Sequence, residues 1–116
     1  MIRTKDECSH VVVANMKGGN GEAVQQHFLN PDEFYGKGRL FARTILKPGC
    51  SVGMHEHTGD VEAIYFISGT GTVIDNGKEY TVHAGDVNID GPGDRHEIIN
   101  TGTEDLVYVA VILYTE

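Results

Sequence analysis

Glycine punctuates this chain at 15 of 116 positions, and between the glycines no window of a dozen or more residues spaces its apolar side chains at the three-four interval of an amphipathic helix. Strands therefore have to carry the fold. Strand-compatible runs stand at residues 10–14, 22–29, 39–46, 51–57, 62–67, 72–74, 79–82, 87–89, 96–99 and 106–113, each followed by polar, Gly or Pro residues. Between two of them, Asn76-Gly77 is the preferred centre of a tight hairpin turn, because both positions must accept positive φ. The last run is apolar throughout and reads as a strand buried on both faces. Only residues 30–35 break the pattern: Asn30 can cap, Pro31 suits the first helical position, and Asp32 and Glu33 favour an N-terminal turn, which predicts a single helical turn. About ten short strands with regular turns predict an all-β sandwich or barrel. Nothing repeats at a fixed period, and residues 1–116 read as one domain.

Composition narrows the function. With 17 acidic and 9 basic side chains the formal charge is −8, which repels phosphate backbones and leaves no basic stripe for nucleic acid or an anionic membrane surface. No apolar run approaches the roughly 18 residues that a helical membrane span needs. The amino terminus lacks the apolar core and small-residue cleavage site of a secretory signal, so a cytoplasmic location is expected. Cys8 and Cys50 fall outside any paired-cysteine spacing and are expected to be reduced thiols.

The chemistry concentrates in residues 49–62, where His55 and His57 stand two apart in strand-like sequence. Side chains at i and i+2 leave the same face of a strand, so the two imidazoles converge and can chelate one ion. After a link containing Gly59, a hairpin can return the Glu62 carboxylate beside them, and His96, which opens a later strand, can complete the set. Three imidazoles and one carboxylate suit Mn, Fe, Co, Ni, Cu or Zn better than Ca or Mg. A six-coordinate ion so held keeps two open positions, which is what lets substrate or water reach a catalytic metal.

Gly49, His55, His57, Glu62 and Gly69 match the first motif of the cupin family, G-x5-H-x-H-x4-E-x6-G, at every specified position. Gly85, Asp86, Gly93, His96 and Asn100 match the second, G-D-x4-P-x-G-x2-H-x3-N, with Gly91 in place of the usual proline and Pro92 one place later. Across residues 49–100 the chain thus resembles a small single-domain cupin, of the kind similar to oxalate decarboxylase. The resemblance implies a double-stranded β-helix, or jelly-roll barrel. Inside it, His55, His57, Glu62 and His96 would hold one divalent transition metal (Mn, Fe, Ni, Co or Zn), with turns at Gly49, Gly69, Gly85 and Gly93. It further implies a homodimer, in which residues 1–30 would exchange or add N-terminal strands.

The expected function is that of a metal-dependent enzyme on a small oxygen-rich molecule, a hydroxy or keto acid or a sugar derivative, through isomerase, decarboxylase or lyase chemistry. An iron-dependent dioxygenase and a non-catalytic small-molecule-binding barrel are the alternatives. Alternation turns Glu56 outward, whereas Asp60 could serve as acid or base. Arg43 could anchor a substrate carboxylate or pair at a sheet edge; the Pro48-Gly49 turn removes the parity that would decide. His10, His27 and His83 read as ordinary strand or loop histidines, and Tyr35, Tyr65, Tyr108 and Tyr114 as packing groups. Cys50 reads as filler beside its turn glycine, and Asn100 as the residue that fixes a turn.

Overall fold

A computed structural model describes residues 1–116. Ten strands follow one another: β1 (Ser9–Ala14), β2 (Glu22–His27), β3 (Gly38–Leu46), β4 (Ser51–Glu56), β5 (Asp60–Ser68), β6 (Thr70–Asp75), β7 (Lys78–His83), β8 (Val87–Asp90), β9 (Arg95–Ile99) and β10 (Leu106–Tyr114). They form two antiparallel sheets, one ordered β1-β2-β3-β10-β5-β8 and the other β4-β9-β6-β7. The all-β expectation holds, and so do the strand positions to within a few residues. Asn76 and Gly77 both have positive φ between β6 and β7, as a two-residue hairpin requires, and Gly49, Gly69, Gly85 and Gly93 all occupy left-handed turn positions. Residues Pro31–Phe34 form a single 3-10 turn, in which the Glu33 carboxylate accepts the Asn30 N–H at 2.7 Å.

Side chains alternate across each strand, and the inward rows change character along their length. On β5 the buried row runs Asp60, Glu62, Ile64, Phe66; on β9 it runs His96, Ile98. One end of the barrel interior is therefore polar. The other is the hydrophobic core, where Leu46, Val52, Ile64, Phe66, Val73, Ile98, Leu106 and Tyr108 pack together. The Phe66 and Tyr108 rings meet with centroids 5.6 Å apart. Full burial of a side chain such as Phe66 stabilises the fold by ~1.5–3 kcal/mol.

β10 departs from its expected burial. Leu106, Tyr108, Ala110 and Ile112 are buried, but Val107, Val109 and Val111 on the opposite face are only half-buried. The reason is architectural: a second sheet covers the inner face, and nothing in the chain covers the outer one.

A short strap, residues 15–21, lies directly on β4. Asn20 N–H donates to Ser51 Oγ and Ser51 N–H to Asn20 O, both at 2.9 Å. The approach needs glycine on both sides, since a Cβ on Gly53 would collide with the Lys17 carbonyl oxygen and one on Gly19 with the Ser51 carbonyl oxygen. Substituting Gly53→Ala is expected to lower stability by ~1–3 kcal/mol through this overpacking, read as a reduced urea midpoint at unchanged slope.

Candidate metal centre

His55 comes from the end of β4 and His57 from the residue just beyond it, Glu62 from β5 and His96 from β9. Strand pairing sets them side by side: His55 is the register partner of His96, and β5 reaches across from the other sheet. One nitrogen or oxygen of each lies within 4.8 Å of the others. His57 Nε2 is 3.1 Å from His96 Nε2, which is 3.1 Å from His55 Nε2. Glu62 Oε1 stands 3.0 Å from His57 Nε2 and 2.9 Å from His96 Nε2.

The remaining ring nitrogens are all occupied by acceptors. His55 Nδ1–H donates to Gly53 O at 2.7 Å, His57 Nδ1–H to Asp60 Oδ1 at 2.8 Å, and His96 Nδ1–H faces both Asp90 Oδ2 at 2.6 Å and Asn88 Oδ1 at 2.8 Å. Each bond fixes the tautomer and aims a bare Nε2 lone pair at the common point. Two bare lone pairs 3.1 Å apart repel, so the cluster needs a proton or a cation between them. Donors adjacent in a six-coordinate shell with bonds of about 2.1 Å stand about 3.0 Å apart, which is the spacing of four of these donor pairs. The donor set thus fits a divalent transition metal, and these four residues could hold one.

The electrostatics agree. Burial would raise the Glu62 carboxyl, but when protons rather than a cation sit on the facing His57 and His96 Nε2, their hydrogen bonds outweigh burial and hold the group down at about 2, an anionic donor. The Glu62 carboxylate raises His57, while burial lowers His55. Behind His96, Asp90 is pushed up to about 7 by burial and by the facing Asp75 carboxyl. Asp90 Oδ2 thus sits between His96 Nδ1 on one side and the Asp75 carboxyl on the other.

Three of the four residues, His55, His57 and Glu62, line a cavity of about 280 Å³. Leu40, Val52, Ile98, Ala110 and Ile112 give it apolar walls, and Lys17, Gln25, His27, Arg39, Thr44 and Tyr108 supply its polar groups. His27 Nε2–H donates to Gln25 Oε1 at 3.1 Å, and Gln25 Nε2 to Thr44 Oγ1 at 3.3 Å. Burial, reinforced by the Glu62 charge, pushes the Tyr108 phenol well above its usual range.

Several sequence-based roles change here. Asp60 is no free acid or base: it is buried between His57 and Arg39, whose Nε lies 3.1 Å from Asp60 Oδ2. Arg43 lies with Phe41 and Ile45 on the outer face of β3 and does not line the cavity. Arg39 does, because the register shift between Ile112 and Leu113 lets β3 change parity at its start. His27 and Tyr108 belong to the cavity wall, whereas Glu56 is exposed as expected and His10 and His83 are exposed strand histidines outside the cavity. Asn100 fixes its turn, donating to Leu46 O and Glu104 O at 2.7 Å each.

The model of the cupin domain matches residues 42–112. This chain belongs to the cupin family. A protein from Thermotoga maritima named an oxalate-binding protein is 42% identical over 113 residues, covering 97% of this chain and 93% of that one. A crystal structure described as a predicted oxalate decarboxylase from the same organism superposes with a TM-score of 0.92 at 42% identity, covering 98% of this chain and 99% of the other. The polyketide cyclase RemF of Streptomyces resistomycificus shares the fold, with a TM-score of 0.78 at 16% identity over 100% of this chain and 80% of its own.

Because Asp60 orients His57 through its Nδ1–H, Asp60→Ala is expected to weaken Mn²⁺ or Zn²⁺ binding by ~10–100-fold. Competition titration against a chromogenic chelator measures this; an unchanged affinity would contradict the orienting role.

Proposed function

We propose that this cupin holds one divalent transition metal through His55, His57, Glu62 and His96 and uses it to bind a small oxygen-rich organic acid, acting as a metal-dependent enzyme of the isomerase, decarboxylase or lyase type. The observation that carries the reading is the convergence of four donor atoms within 4.8 Å beside a cavity of about 280 Å³, a size for a molecule of few atoms. The name of the Thermotoga relative favours a carboxylic acid, with oxalate as the first candidate.

When bound, the metal supplies Lewis acidity toward a carboxylate or carbonyl oxygen. The chain's own residues do the rest. Leu40, Val52, Ile98 and Ile112 exclude water around the ligand, which strengthens every charge interaction inside. Burial lowers His27 from its usual range, so at neutral pH its imidazole is unprotonated and able to accept a proton. A second reading, binding of the acid without turnover, is favoured by the absence of any carboxylate other than Glu62 from the cavity lining.

We further propose that two copies associate. Outside the six-stranded sheet, Val12, Tyr65, Val87 and Ile89 are each more than half exposed, and Phe41, Ala63, Val109 and Val111 continue the same apolar surface. Six strands about 4.8 Å apart and about seven residues long span roughly 650 Å² in projection, close to the ~800 Å² per partner of a stable interface. β1 itself is paired in-chain with β2, so this face offers a dimer that needs no strand exchange.

Three measurements test these readings. Isothermal titration of oxalate into Mn²⁺-loaded protein is expected to give saturable binding that disappears after chelator treatment and in His96→Ala; binding that survives metal removal would contradict it. NMR of the incubated acid then separates turnover from binding alone. In sedimentation equilibrium the chain should weigh as a dimer and Tyr65→Glu as a monomer.

A further inference from the structure

The metal centre is flanked on two sides by cations, although the chain carries only 9 of them against 17 carboxylates. On one side the strap sets the Lys17 backbone directly over Gly53, whose carbonyl holds His55 Nδ1. On the other, Arg39 bonds Asp60, which holds His57 Nδ1. Both residues line the same cavity as His55, His57 and Glu62. Lys17 makes no ion pair, and Arg39 spends only Nε on Asp60, leaving its four terminal N–H donors for another partner.

The backbone of Lys17 adds a second observation. Its φ is 54°, the left-handed region where a glycine would be unstrained, and Gly18 beside it is left-handed too. A lysine at such a position, in a strap clamped to β4 by Gly19 and Gly53, stands at the cavity rim at a conformational cost. Charge gives the reason. A divalent ion with one carboxylate ligand leaves a single positive charge, enough for a monoanion; a dianion needs further cations.

We infer that Lys17, with Arg39, forms a second anchoring point that makes the cavity select small organic dianions over monoanions of the same size. The inference rests on the proposed binding of an acid at the metal and assigns its charge class and the residues that read it. Lys17 is a specificity residue that contacts the far carboxylate of the ligand.

The test compares oxalate with glyoxylate, which is nearly the same size with one carboxylate fewer, by titration into Mn²⁺-loaded protein. Lys17→Met is expected to weaken oxalate about tenfold, as loss of one exposed charge-assisted bond does, and glyoxylate less than about twofold, with metal content unchanged. Lys17→Gly, which relieves the left-handed strain, should give the same loss at equal or higher melting temperature, and Lys17→Arg should restore most of it. Equal losses for both acids, or no loss, would overturn the inference while leaving the metal-bound acid intact. Wild-type protein that binds neither acid would overturn the proposed function instead, and the inference with it.

Discussion

Three imidazoles and a carboxylate whose donor atoms crowd to 2.9–3.1 Å inside a folded chain repel one another unless something positive sits among them. The polar end of this barrel is organised around that demand. Every imidazole of the cluster has its outer nitrogen tied to an acceptor: a backbone carbonyl for His55, Asp60 for His57, and Asn88 with Asp90 for His96. Those acceptors are held in turn, Asp60 by Arg39 and Asn88 by Asp75. Ordinary hydrogen bonds thus orient the three imidazoles toward their common point.

The fold makes this tolerable by segregation along the strands rather than between layers. On β5 the buried row passes from Asp60 and Glu62 to Ile64 and Phe66, and β9 passes from His96 to Ile98 within two residues. The same strands therefore supply the His/Glu cluster at one end and the core at the other. The core fixes the register that places His55 opposite His96, so ligand geometry is inherited from hydrophobic packing elsewhere in the barrel.

Much of this was legible in the sequence because it rests on short-range rules. Glycine punctuation and the lack of helical periodicity gave the ten strands, Asn76-Gly77 the hairpin, and the His-x-His spacing with Glu62 and His96 the cluster. Less legible was whatever depends on parity carried across a turn or bulge. Arg43 sits on the outer face and Arg39 at the cavity, because β3 shifts register near its start. Lys17, Gln25 and His27 line the cavity from the N-terminal strap and β2, residues that lie outside the span of the two motifs. The glycine pair Gly19 and Gly53, which brings the strap onto β4, was the one available signal for Lys17, and it becomes readable only once the two segments are known to touch. The half-buried outer face of β10 was hidden for a different reason: an apolar run looks the same whether a second layer or a second molecule covers it.

The central claim, that these four side chains are a metal site, is tested most directly by elemental analysis of untagged protein purified without chelator. The account predicts close to one equivalent of a divalent transition metal per chain, retained on gel filtration and lost from His96→Ala while that variant stays folded. Wild-type protein that carries no metal, and takes up none when Mn²⁺, Fe²⁺, Co²⁺, Ni²⁺ or Zn²⁺ is offered, would contradict it.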